Sequence, residues 1–302
     1  AWFLIATIRN FTRHCVDADR NEFRDHWNGR AETLAAAVER SGWDGEWYLR
    51  AFDDDGRPWG ASEEQECRID SIAQSWSVLS GAGKVERTRS ALASARRYLV
   101  RDDDSLVRLL DPPFDRTPRE PGYIKAYPPG IRENGGQYTH AASWLALAFA
   151  RTGDGDGAKA LFDRINPIQH AATARSAAHY RTEPYVVAAD IAGMEPHLGR
   201  GGWTWYTGAA AWTWRLAVEE ILGVRLVGGE LQVRPVLPRD WESVELTLRR
   251  GRGSIHVTIE TDDTLESEEP VIEVEGTLWD ARGIPFPEND HTRIVVVRVA
   301  QR

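Results

Sequence analysis

AAAWTWRLAVEEILGVRLVGGELQVRPVLP, residues 209–238, changes its period in the middle. Up to Leu222 the apolar side chains recur three and four positions apart, the repeat of a helix with one buried stripe. After Gly223 they alternate, the repeat of a strand with one buried face, and Gly228-Gly229 reads as a hairpin turn. The chain is therefore expected to be helical before this point and β after it.

The rest of the sequence agrees on both sides. The helical period recurs in WFLIATIRNFTRHC (2–15), RAETLAAAVERS (30–41), IDSIAQSWSVLSG (69–81), RSALASARRYLV (89–100) and HAASWLALAFARTG (140–153), joined by long loops rich in Gly and Pro. The strand period recurs in ESVELTLRRGRGSIHVTIE (242–260), PVIEVEGTLWD (270–280) and TRIVVVRVA (292–300). The expected architecture is mainly α with β, divided into a helical domain over 1–223 and a small antiparallel β-sandwich over 224–302. Paired helices with functional loops at one end suit part of an α/α barrel, and helix count alone also suits a bundle.

Composition limits the partners. The net charge of −9, without a Lys/Arg cluster, argues against nucleic acid. No apolar run reaches the roughly 18 residues of a membrane span, so a soluble chain is expected. Cys15 and Cys67 lack metal-ligand spacing and read as reduced, buried thiols in helical segments. The 13 tryptophans in 302 residues are roughly three times ordinary usage, which suggests a large core or a sugar-binding surface.

Two loops carry the candidate chemistry. In GYIKAYPPGIRENGGQYTHAASW (122–144), Gly135-Gly136 should break the chain so that Glu133 lies just ahead of a helix and His140 just inside it. The start of a helix favours an anion. In GRGGWTWYTGAAAWTWR (199–215), the glycines make a pliable loop, Trp205 and Tyr206 are candidates to line a site, and Thr207 reads as the N-cap. The Thr207 hydroxyl and the amides of Thr207 and Gly208 would make a second anion seat. Each loop taken alone favours the plainer reading of a solvated carboxylate, a structural histidine, an ordinary Thr cap and core tryptophans, and it is the two seats together that point to a site. In ECRIDSIAQSW (66–76), Arg68 and Asp70 are expected to form a buried ion pair, and Gln74 is a candidate facing the barrel centre. DDDG (53–56) reads as a surface turn without the further ligands of a calcium loop, and His170 in INPIQH as a loop-ordering residue.

YPPGIRENGGQYTHAASW, INPIQH, YRTEPYVVAADI, GRGGWTWYTGAAAW, ECRIDSIAQSW and DPPFDRTPREPGYIKAYPPG together resemble the C-terminal half of glycoside hydrolase family 94, the inverting glycoside phosphorylases. The likeness is closest to the cyclic β-1,2-glucan synthase and β-1,2-oligoglucan branch. It implies an (α/α)6 barrel with β domains, and attack of inorganic phosphate on a β-glucosidic bond to release α-glucose 1-phosphate. By the same resemblance His140, Thr207 and Gly208 contact phosphate, and Glu133 binds sugar hydroxyls. No cofactor is implied, phosphate being a co-substrate.

Inversion also needs a carboxylic acid to protonate the leaving oxygen. In the family this is the aspartate of a Trp-Asn-Asp motif shortly before a segment resembling WFLIATIRNF, and here that segment starts at Trp2. The only Trp-Asn pair, Trp27-Asn28, is followed by Gly29. The expectation is a fragment whose general acid lies upstream of Ala1 and whose partners are a β-glucan oligosaccharide, phosphate and the N-terminal remainder of the parent. Ala188 and Ala189 stand where disaccharide phosphorylases carry a sugar-binding glutamine, a departure compatible with a β-1,2-linked glucan. The resemblance implies a cytoplasmic setting, as a free enzyme or as a domain of an inner-membrane glucan synthase, and allows a homodimer. The alternatives are a non-catalytic carbohydrate-binding or structural module of such a synthase and an ordinary inverting hydrolase using Glu133.

Overall fold

Helix and sheet segregate along the chain in the structure, a computed structural model that describes residues 1–17, 20–205, 207–265, 267, 269–280 and 283–300. Contacts divide it into one unit of residues 1–152 and 161–213 and a second of residues 153–160 and 214–302.

The first unit is built on α1 (Trp2–Asp17) against α2 (Asn21–Ser41), and on α3 (Ser71–Leu79) against α4 (Val85–Leu99) and α5 (Thr139–Arg151). α5 is buried on all sides from Ala141 to Ala150 except at Trp144, as its alanine- and leucine-rich sequence requires of a central helix. Its Ser143 hydroxyl donates to the Thr139 carbonyl and lies 3.3 Å from the Thr213 hydroxyl. α6 (Gly155–Ile165), α7 (Pro167–His170), α8 (Ala174–Tyr180) and α9 (Thr207–Arg215) follow, and α9 runs on into a π-helical turn over Leu216–Ile221.

Between the helices lie short strand pairs that the sequence periods do not reveal. One pairs Gln137–Tyr138 with Asp190–Ile191, and Ile191 bridges onward to Gly201. The Thr139 amide donates to the Ala189 carbonyl, the Ala189 amide to the Trp203 carbonyl and the Gly202 amide to the Asp190 carbonyl. Three segments far apart in sequence thus become one narrow strip, with Asp190 in its central strand.

The second unit has two sheets. Val224–Val227, Glu230–Val233 and Ile284–Pro285 form an antiparallel sheet in the order Ile284–Pro285, Glu230–Val233, Val224–Val227. The other has five strands in the order Ser243–Arg250, Gly253–Thr261, Thr292–Val299, Val271–Val274, Thr277–Leu278. Val224, Leu231 and Val233 from the first sheet share one buried cluster with Ile255, Val257, Ile259, Val295 and Val297 from the second. Burying each such side chain contributes about 1.5–3 kcal/mol.

Two expectations are corrected. The β region is not wholly antiparallel: Gly253–Thr261 and Thr292–Val299 pair in parallel, because the intervening chain spends itself on a hairpin and a strand of the other sheet and returns in the same direction. The compact units divide inside α9, after Thr213, and the second unit also takes in 153–160. There the chain passes so close to the Leu237 carbonyl that a Cβ on Gly155 would lie 2.3 Å from its oxygen, and Asp156 accepts the Arg239 amide at 2.8 Å. Cys67 is not helical; it sits at φ 50° just before the short strand Ile69–Asp70. Both cysteines are free and buried, and burial pushes the Cys67 thiol up to about 12. Among the described residues no helix is long and apolar enough to cross a membrane.

Candidate functional site

The turn that precedes α5 is pinned by a side chain. Asn134 is fully buried; its amide donates to the carbonyls of Phe114 and Tyr127 and its oxygen accepts the Phe114 amide at 2.7 Å. The glycines after it are needed for close approach, since a Cβ on Gly193 would lie 2.4 Å from the Gly135 carbonyl oxygen and one on Gly136 2.8 Å from that of Arg132. Held this way, Arg132 takes a left-handed backbone at φ 49°, unusual for a long side chain, and Glu133 follows it.

Arg132, Glu133 and Asp190 then meet. Arg132 Nη1 is 3.5 Å from Asp190 Oδ1, and Arg132 Nε is 3.6 Å from Glu133 Oε2. Both distances exceed that of a direct N–H···O bond. Accordingly Arg132 Nε, Glu133 Oε2 and Asp190 Oδ1 are all buried without a hydrogen-bond partner. Burial pushes the Asp190 carboxyl above the usual carboxylate range, with the Arg132 guanidinium pulling the other way. Burial also opposes the Arg132 charge, but Asp190 and Glu133 outweigh it and keep the guanidinium protonated. Arg132 faces the rings of Tyr127 and Tyr138 at 5.7 and 5.9 Å. Asp190 and Arg132 open into a cleft of about 520 Å³ whose wall also includes His197, Arg200, Trp203 and Thr204.

His140, the second residue of α5, faces the first turn of α9. A Cβ on Gly208 would lie 3.3 Å from His140 Cε1 and 3.4 Å from Nδ1, so the two expected anion seats converge. The imidazole packs on Trp144 at 4.5 Å and on Trp212 at 6.0 Å between ring centres. His140 Nε2 and Trp144 Nε1 are buried and unpartnered, and burial lowers the histidine pKa, which favours a neutral ring able to donate one N–H. Trp144 also lines a larger, more apolar cleft of about 810 Å³ with Trp2, Phe3, Phe52 and Trp76.

The remaining candidates fall elsewhere. Gln74 is fully buried and its amide is spent on the Tyr48 amide and carbonyl and the Asp70 carbonyl, so it clips a loop to α3 instead of facing an open centre. Trp205 is 75% exposed at φ 63°, its indole donating to Glu183; Trp203, not Trp205, is the tryptophan in the cleft wall. Tyr206 lies outside the described residues, as does the side chain of Thr207; α9 begins at Thr207 itself, one position earlier than an N-cap there would place it. Ala188 and Ala189 are buried. Arg68 does not pair with Asp70: Asp70 caps α3 and binds Arg50, while Arg68 donates to the Ser62 carbonyl. Glu66 accepts three backbone amides, of Asp115, Arg116 and Thr117, which hold its carboxyl below the usual range against burial. His170 bonds the Arg164 carbonyl and stacks on Tyr180, ordering its loop as expected. Asn28 accepts from Thr12 within the α1–α2 pair. Arg132 and Asp190 were missed by sequence reasoning, and the one signal for Arg132 was its place directly before Glu133.

Known proteins resemble the chain as follows. The chain is 47% identical over 277 residues to the cyclic β-(1,2)-glucan synthase NdvB of Rhizobium meliloti, covering 92% of this chain and 10% of that protein. It is 32% identical over 228 residues to solabiose phosphorylase of Paenibacillus borealis, 75% of this chain and 29% of that one. With 1,2-β-oligoglucan phosphorylase of Listeria innocua serovar 6a it shares 25% identity over 179 residues, 53% of this chain and 16% of that one. The chain thus spans well under half the length of each of these relatives. The model of the glycosyl hydrolase 94 superfamily catalytic domain matches residues 1–223, and the chain belongs to that family.

Proposed function

We propose that this chain supplies the phosphate seat and part of the sugar seat of an inverting glycoside phosphorylase acting on β-1,2-glucan. The observation that carries the reading is the meeting of His140 with Gly208 at the start of α9. A helix start offers unpaired amides and the positive end of its dipole, and the unpartnered His140 Nε2 adds a donor beside it. Phosphate held there attacks the anomeric carbon, and the leaving glycosidic oxygen takes a proton from a carboxylic acid. Glu133 meets sugar hydroxyls, Thr207 adds its hydroxyl to the phosphate seat, and Trp205, exposed and outside the cleft wall, gives aromatic surface to the glucan together with Tyr206. The helices contribute to an (α/α)6 barrel.

The general acid belongs to a part of the parent protein beyond these 302 residues. Two facts support this: the chain has no Trp-Asn-Asp motif, and it spans only 29% of the solabiose enzyme. The parent is a cytoplasmic enzyme or a cytoplasmic domain of a membrane-associated synthase, given the likeness to the cyclic glucan synthase. The test is release of α-glucose 1-phosphate from sophorose and longer β-1,2-glucans, assayed with and without phosphate. The parent should need phosphate and the isolated chain should be inactive. Free glucose formed without phosphate would sink the reading.

A second reading, a carbohydrate-binding module without catalysis, is favoured by Trp203, Trp205 and Tyr185, which are 65%, 75% and 80% exposed. Calorimetry with β-1,2-glucan separates the two, since a pure binding module shows no dependence on phosphate.

A further inference from the structure

Asp190 combines three properties rarely found together in a structural carboxylate. Its side chain is only 5% exposed, its Oδ1 lacks a hydrogen-bond partner, and it borders an open cleft. Gly202 packs closely against that oxygen, since a Cβ there would lie 2.5 Å from it. Opposite stands the Arg132 guanidinium, 3.5 Å away and also 3.6 Å from Glu133, so one cation is shared by two carboxyl groups and directly bonded to neither.

The atoms left without partners at these gaps define what fits them. A sugar hydroxyl donates one proton and accepts through its lone pairs, so it can give its proton to Asp190 Oδ1 while accepting from Arg132. A sugar carboxylate only accepts; it can answer Arg132 but leaves both carboxyl oxygens unanswered and adds a third negative group. His197 and Arg200 also border the cleft, but both are exposed at its mouth, where solvent and salt screen charge, whereas Asp190 is buried.

We propose that Asp190 is a specificity-determining residue: it takes a hydroxyl of a neutral sugar unit and, by sharing Arg132 with Glu133, denies that guanidinium to sugar acids. The proposal rests on the reading of this region as a sugar site, and it does not depend on phosphate.

The test is binding to the 302-residue chain without phosphate, read by tryptophan fluorescence with glucose, sophorose, glucuronate and gluconate. The wild-type chain should bind the neutral sugars at least about tenfold more tightly than the acids. Asp190→Asn keeps the shape, releases Arg132 and should reverse part of that ratio, weakening neutral sugars and tightening acids by about tenfold each. Arg132→Gln should weaken neutral sugars without gaining acids. Wild-type binding of glucuronate as tight as that of glucose overturns the proposal, as does an unchanged ratio in Asp190→Asn. The wild-type comparison stands even where a variant fails to fold. Absence of phosphate-dependent glucan cleavage by the parent protein, with the neutral preference of the chain intact, sinks the phosphorylase reading and leaves this one standing.

Discussion

The two units treat buried polar groups differently. In the β unit the inner faces of both sheets are aliphatic, and among its described residues no buried side-chain nitrogen or oxygen lacks a partner. In the helical unit Arg132, Glu133, His140, Trp144 and Asp190 each keep such an atom, and so do Ser71, Arg108 and Arg119. An unmade hydrogen bond in the interior costs about 1–3 kcal/mol. The first region is a structural core, and the second carries the polar atoms that the proposed site would use.

That contrast can be broken by substitution. Ile255→Ala in the β core should cost about 2–5 kcal/mol, because a fully buried side chain leaves a cavity. Denaturant unfolding measures it, and a loss under 1 kcal/mol would mean that this core is loosely packed. Gly202→Ala should cost about 1–3 kcal/mol by forcing its methyl group into the Asp190 carboxylate, and should weaken sugar binding as well. Unchanged sugar affinity would detach the strip from the site. His140→Ala should lower affinity for inorganic phosphate about 10-fold or more, the loss of one hydrogen bond to a charged group, while leaving the melting temperature nearly unchanged. A large stability loss with normal phosphate binding would make His140 structural.

The smallest effect is that of pH. Burial lowers the pKa of both His140 and His170 below the ordinary value of about 6.5. As the pH falls through that value the unfolded chain takes up protons first, so stability is full above about pH 6.5 and declines toward the folded-state values. Asp190, whose carboxyl is pushed up, works in the opposite direction at lower pH. Melting curves from pH 7.5 to 5.5 should therefore slope less in a His140→Gln, His170→Gln double variant than in the wild type; equal slopes would exclude the histidines as the cause.

The change of period at Gly223 marked helix and strand correctly because it records which faces are buried, and burial is what alternation and the 3.6 repeat encode. It does not reveal that Gly155 and Asp156 join the β unit through a close approach and an ion pair with Arg239, neither of which has a period. Strand direction was equally invisible: TRIVVVRVA reads the same whether paired in parallel or not.

The site divides the same way. Glu133, His140 and Gly208 were legible because glycines and helix starts flank them, and local backbone preferences reach only a few residues. Gln74 looked available because a polar residue on an apolar helix draws notice, yet its partners, Tyr48 and Asp70, are set by folding. The sequence by itself determined the helical and β halves, the family resemblance and the two loops with candidate chemistry. The tertiary structure alone decided that those loops meet at His140 and Gly208, and that Asp190 shares Arg132 with Glu133. The physical reason is that the strip joining residues 137–139, 189–191 and 201–203 rests on backbone hydrogen bonds, which leave no mark on residue type.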